Sequence, residues 1–175
     1  RPRRIFLASS RSVYGEGAYQ DSEGRLCQPD SRSPDALAAG DWELSASNGS
    51  SLVPIATPES LPFRPGSVYA ATKAAQEMLL LSASQSVRAA TAIFRFQNVY
   101  GEGQSLRNPY TGIMSIFFNR ARQGIGIPLY EDGSPSRDFV HVDDIVMALA
   151  TSLDADLPHG TVMNLGSGTP TSVLE

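Results

Sequence analysis

The sequence predicts an α/β fold built on a parallel sheet. Two observations lead there. Short apolar runs end in clusters of polar residues, as buried strands of a parallel sheet do, at Arg4–Ser10, Ala89–Phe96 and Thr161–Gly166. Between the first two lies a helical run from Val68 to about residue 84, and strand, helix, strand in that order implies a parallel crossover.

Taken in order, Arg4-Ile5-Phe6-Leu7-Ala8 leads into Ser9, Ser10 and Ser12 and then a Val13-Tyr14-Gly15 turn. Functional groups of open α/β sheets collect at the carboxyl ends of strands, so these hydroxyls are candidate site residues as well as ordinary loop serines. Residues 16–66 hold no sustained period of 2 or 3.6. A stretch that long is either a functional insertion or partly disordered, with Asp41-Trp42-Glu43-Leu44 a short strand or turn. Pro54, Pro58, Pro62 and Pro65 predict an extended approach to the next helix. On helix 68–84, Met78, Leu79, Leu80 and Leu81 point to more than one side, which predicts that more than one face is buried. The Ala89–Phe96 strand ends in Gln97-Asn98-Val99-Tyr100-Gly101.

Residues 102–112 read as a loop, and Ile113–Arg122 as an amphipathic helix stopped by Gly124. Gly126–Tyr130 reads as a short strand before a turn at 131–134. Arg137–Val142 alternates like a strand. Asp143-Asp144 opens a helix through Leu153, with carboxylates at its positive end. Thr161–Gly166 is a last strand, with no closing element behind it.

Composition narrows the function. A net charge of -4 over 175 residues gives no electrostatic pull toward nucleic acid. No apolar run approaches the roughly 18 residues that span a membrane. The opening Arg1-Pro2-Arg3-Arg4, followed by only four apolar residues, is not expected to be a secretory leader. A single cysteine, Cys27, excludes an internal disulfide and a cysteine-rich metal site, and no metal is expected. The cytoplasm is the expected compartment.

Of the 14 basic side chains, the only lysine is Lys73, and the rest are arginine. It follows Tyr69 by four residues, which puts both on one helix face. A free phenol is a poor base at neutral pH, and a nearby ammonium favours the phenolate. Such pairs also occur by chance on many helices. Where arginine supplies nearly every cation, a lone lysine either marks a position that needs a compact point charge or is merely a survivor of an arginine-rich composition.

Four segments in this order resemble the extended short-chain dehydrogenase/reductase family, in particular its nucleotide-sugar epimerases and dehydratases. They are Ala8-Ser9-Ser10-Arg11-Ser12-Val13-Tyr14-Gly15, Tyr69-Ala70-Ala71-Thr72-Lys73, Arg95-Phe96-Gln97-Asn98-Val99-Tyr100-Gly101 and Ser136–Asp144, and Asn164-Leu165-Gly166-Ser167-Gly168 also fits. The resemblance implies a Rossmann-like sheet with part of a smaller substrate-binding lobe. The glycine-rich turn that binds the NAD pyrophosphate in that family has no counterpart here. Residues 1–101 are therefore expected to be the second half of a Rossmann domain with an insertion at 16–66, and 102–175 an incomplete substrate lobe. By itself such a piece is expected to bind NAD weakly and to be inactive.

Roles follow from the resemblance, position by position. Ser10, Tyr69 and Lys73 are the expected catalytic residues. Tyr69 exchanges a proton with the sugar hydroxyl, Lys73 holds the nicotinamide ribose, and Ser10 bonds the sugar oxygen. Ser9 and Gln97 are expected on the NAD side with Tyr69 and Lys73. Ser12, Asn98, Tyr130 and Arg137 are expected on a nucleotide-diphosphate sugar, Asn98 and Arg137 at the diphosphate and Tyr130 over the base. Surface packing for Tyr130, and an ion pair with Asp138 or Asp143 for Arg137, are the structural alternatives.

The dehydratases share an Asp-Glu pair where this chain has Arg11-Ser12, which argues against loss of water. The stretch Gln97–Gly101 with Gln104–Ile113, and the insertion, are most similar to the group that epimerises C4 of dTDP-L-rhamnose. Transient oxidation at C4 through NAD is the implied mechanism, and a homodimer through the Tyr69 helix the implied assembly. A reductase or decarboxylase, or a non-catalytic binder of NAD or a sugar nucleotide, are the competing readings.

Overall fold

The first apolar run is strand β1, Arg4–Ser10. The structure, a computed structural model, describes residues 3–46, 49–84, 86, 89–105, 112–129, 132–133 and 135–174. The chain divides into two compact units, Arg1–Arg95 with Leu157–Asn164, and Phe96–Asp156 with Leu165–Glu175. The units part within the Arg95-Phe96 step, and residues 157–164 belong to the first.

In the first unit, β1 runs into a 3-10 turn, Arg11–Tyr14. Ser10 caps that turn by accepting the Ser12 N–H. The described residues of the insertion carry short regular elements. Strands β2 (Tyr19–Gln20) and β3 (Leu26–Cys27) make a hairpin. Asp21 holds its loop, because its carboxylate accepts the N–H groups of Glu23 and Arg25. Helix α1, Pro34–Ala39, starts on the Ser33 side chain and stops at Gly40 with φ 74°. All its signals stand in the sequence as Ser-Pro-Asp at one end and Gly at the other. The expected strand or turn at 41–44 is irregular chain, with Leu44 buried. Strand β4, Val53–Pro54, pairs with the other edge of β2.

Helix α2 spans Val68–Ser84. It begins where the Ser67 hydroxyl accepts the Ala70 N–H at 3.1 Å. Its buried residues, Ala70, Ala74, Glu77 and Ser84, recur at helical spacing along one face. Alanines there let the helix lie close on β1 and the 3-10 turn. The expectation of burial on several faces is corrected: Val68, Met78 and Leu79 are exposed. Strand β5, Ala90–Phe96, is the most deeply buried element, and the sheet order is β1–β5–β8, parallel, where β8 is Thr161–Leu165. Phe6 and Phe94 pack edge to face across β1 and β5, with centroids 5.2 Å apart. A second cluster, Val13, Tyr14, Ala18, Leu61 and Ala74 with Phe63, seats the insertion against α2.

Gly15 shows how tightly that insertion closes. Its φ is 66°, and a Cβ there would lie 2.5 Å from the Arg64 carbonyl oxygen. Gly15→Ala should lower stability by about 1–3 kcal/mol or more, read as a lower urea midpoint. A midpoint unchanged within error would show that the 15/64 contact yields without cost.

In the second unit a short strand, β6 (Asn98–Tyr100), follows β5, where the sequence suggested only a polar strand end. Helix α3 covers Ile113–Arg122. Residues 125–129 form no strand, correcting the expectation for 126–130, of which Tyr130 lies outside the described residues. Strand β7, Ser136–His141, pairs in parallel with β6 and antiparallel with β9, Pro170–Ser172. β9 is a short strand the sequence did not suggest. Helix α4, Val142–Asp154, starts on the His141 side chain and has Asp143 and Asp144 in its first turn. Among the described residues no helix is long and apolar enough to cross a membrane.

Candidate active site

The pleat of β1 sends neighbouring serines to opposite sides. Ser10, at the strand's carboxyl end, accepts from the Ser12 N–H at 3.2 Å and from the Ser12 hydroxyl at 3.0 Å. Lys73 reaches the same strand end from α2 and donates to the Ala8 carbonyl at 2.8 Å. Its ammonium lies 5.9 Å from the centre of the Tyr69 ring, one helical turn before it. Tyr69 is 56% exposed, so its phenol can be reached from outside this unit's core. One ammonium proton is used on Ala8, which leaves the others for a ligand. The first unit thus gathers Ser10, Ser12, Lys73 and Tyr69 around one strand end and one helical turn.

Ser9 is elsewhere. It is buried, and its hydroxyl donates to Glu77. It belongs to a buried polar network that the sequence reading did not find. Arg95 lies at its centre. It donates to both Glu77 oxygens, with its closest nitrogen at 2.7 Å, to the Tyr14 hydroxyl at 2.6 Å and to the Glu59 carbonyl at 2.9 Å. The guanidinium lies 4.7 Å from the Tyr14 ring centre and 5.1 Å from that of Phe63. Tyr14 in turn donates to Asn164 at 2.8 Å. Burial pushes the Tyr14 phenol up against the opposing pull of Arg95, so Tyr14 stays protonated and is no candidate base. The signal was present as two charges in apolar runs: Arg95 inside Ala-Ile-Phe-Arg-Phe and Glu77 beside Met-Leu-Leu-Leu. A charge survives in such a run only when a partner meets it there.

The second unit holds Gln97, Asn98 and Arg137. Gln97 donates its main-chain N–H to Leu165 at 2.8 Å. Any side chain at Gly166 would collide with Asp138 and with Gln97 Cγ, so the chain passes Gln97 only as glycine. Asn98 is the informative member. Its Nδ2 is buried and has no hydrogen-bond partner among the described residues. It lines a cavity of about 130 Å³ with Val99, Gln104, Gly112, Ile113, Met114 and Phe139. An unmatched buried amide costs roughly 1–3 kcal/mol, so a donor in that state suits an oxygen-rich ligand. Arg137 stands on β7 and donates to the Ser136 carbonyl at 2.8 Å. Among the described residues neither Asp138 nor Asp143 forms an ion pair with it. Asp138 instead accepts from the N–H groups of Ser167 and Gly168, and Asp143 faces His141. No group of three or more His, Cys, Asp or Glu is placed to hold a metal ion among the described residues.

Comparison with known proteins adds to this geometry. Residues 45–166 match the NAD dependent epimerase/dehydratase family. A dTDP-L-rhamnose 4-epimerase from Burkholderia thailandensis is 43% identical over 98% of this chain and 46% of its own length. A dTDP-glucose 4,6-dehydratase from an Actinoplanes species is 33% identical over 67% of the chain and 35% of its own length. The chain therefore spans less than half of these relatives. A UDP-N-acetylglucosamine 4-epimerase from Methanobrevibacter ruminantium, solved with UDP-N-acetylmuramic acid, superposes with a TM-score of 0.72 at 26% identity, covering 98% of this chain and 44% of that one.

Proposed function

The chain belongs to the NAD dependent epimerase/dehydratase family, and from that premise we propose that the whole protein inverts C4 of a nucleotide-diphosphate sugar of the dTDP-L-rhamnose kind. The observation that carries this reading is the Tyr69/Lys73 pair on one helical turn, with Lys73 bonded to Ala8 on the strand that ends in Ser10. Tyr69 takes the proton of the C4 hydroxyl and later returns it. Ser10 bonds the same sugar oxygen through proton removal and return. Lys73, anchored on Ala8, keeps its remaining protons for ribose hydroxyls, which fits NAD at this strand end. When bound, NAD supplies a reversible acceptor for the C4 hydride. Asn98 and Arg137 offer donors to the diphosphate, and the orphaned Asn98 amide supports that assignment. Gln97 stays on the NAD side of the proposal, Ser12 supports Ser10, and Tyr130 covers the base. Ser9 is left to the buried network. The cytoplasm is the proposed compartment.

The test is incubation of the whole protein with dTDP-L-rhamnose and NAD, with the C4 configuration read by NMR. Inversion at C4 is expected. Net consumption of reduced cofactor would replace the reading with a reductase. Sugar-nucleotide binding without any turnover would replace it with a binding module. A homodimer through α2 is also proposed, because Val68, Met78 and Leu79 present an apolar face. The whole protein should sediment as a dimer, and the Met78→Glu, Leu79→Glu double variant as a monomer. A monomeric wild type at micromolar concentration would remove the dimer.

A further inference from the structure

One side chain of the insertion, Gln28, bonds to both the serine-bearing turn and the approach to α2. The Gln28 amide donates one proton to the Tyr14 carbonyl at 3.1 Å and the other to the Pro62 carbonyl at 2.9 Å. Tyr14 ends the turn that starts on Ser10. Pro62 opens the segment that leads into Ser67 and the first turn of α2, where Tyr69 stands. The Gln28 main chain is held as well, because Arg64 donates to its carbonyl. Arg64 in turn gives its N–H to the Val13 carbonyl at 2.9 Å. Two stretches of the first unit, 13–15 and 62–64, are thus joined edge to edge with Gln28 as the side-chain bridge.

We infer that Gln28 is a positioning residue, fixing the serine turn against the approach to the Tyr69 helix so that Ser10 and Tyr69 address one sugar oxygen together. The inference rests on the proposed function for its catalytic consequence and on the hydrogen bonds alone for the bridge. An NH₂ group is what the place requires: two carbonyl oxygens face it, and only a side chain with two protons on one atom serves both. Methionine keeps the volume and removes both donors. Glutamate keeps the shape and sets a carboxylate against two carbonyl oxygens, so it should be worse than methionine. The effect on turnover comes from misplacement, since errors of about 1 Å at reacting groups cost up to roughly 100-fold.

The experiment compares wild type, Gln28→Met and Gln28→Glu in the whole protein. In Gln28→Met, kcat for C4 inversion should fall roughly 10- to 100-fold, with KM for the sugar nucleotide and the unfolding midpoint little changed, and Gln28→Glu should fall further. Hydrogen exchange read by mass spectrometry should quicken in both 12–17 and 62–70 in the same variants. Wild-type kcat in Gln28→Met, or a loss seen only in KM, would overturn the positioning role. Unchanged exchange in the two segments would overturn the bridge. A wild type that turns over no sugar nucleotide would be a failure of the proposed function, and the exchange measurement would then judge the bridge by itself.

Discussion

Tyr69→Phe in the whole protein should lower turnover at C4 by roughly 10²- to 10⁴-fold while leaving sugar-nucleotide affinity near wild type. The ring stays, and with it the packing at the start of α2; only the proton-transferring oxygen goes. Tyr69 is exposed at its helical turn, and no buried contact depends on its hydroxyl in the described structure. Tyr14, the other tyrosine near the serine turn, cannot take over. It is buried, protonated and bonded to Arg95 and Asn164. Lys73→Met should show a related loss with weaker NAD binding, because the Ala8 anchor and the spare protons vanish together. Turnover is read by NMR and affinity by calorimetry. A Phe variant within about tenfold of wild type would move the base elsewhere.

The second large effect concerns stability. Glu77→Leu or Arg95→Met alone should destabilise the fold by about 3–5 kcal/mol, since each leaves a charge buried without its partner. Glu77 is 0% exposed and Arg95 4%, so water cannot replace the lost partner. The double variant should lose clearly less than the sum of the two, because neither charge is then stranded. Unfolding in urea, followed by circular dichroism, measures all three. Single variants costing under about 1 kcal/mol would mean that the pair is hydrated when the protein relaxes. Arg95→Met should also loosen the Glu59 carbonyl and the Tyr14 ring, and so the seat of the insertion.

Much of the site was legible in the chain. The lone Lys73 four residues after Tyr69 required only helical periodicity to place both on one turn. The rule that strands of parallel sheets end in functional groups drew attention to Ser9, Ser10 and Ser12 alike, and only the family resemblance singled out Ser10. The runs for β1, α2, β5, α3, β7, α4 and β8 were long enough for their apolar pattern to show. α1 was missed although its cap, proline and glycine were all present, because a helix of six residues with no buried residue has no apolar stripe to find. Ser9 was assigned by neighbourhood to Ser10, and the pleat turned it to the other face.

The sequence by itself determined where the candidate residues Ser10, Tyr69 and Lys73 stand and which of the longer segments are strand or helix, since both depend on neighbours within a few positions. Tertiary structure alone decided the rest. β6 and β9 are three residues each and exist because β7 supplies their hydrogen bonds from far along the chain. Glu77 and Arg95 are tolerable in apolar runs because they meet across 18 residues of chain. Gln28 is a bridge only because the insertion folds back on the serine turn. Periodicity reports what one element buries; it carries no information about which distant group will stand opposite, and pairing of that kind is fixed only when the chain has closed on itself.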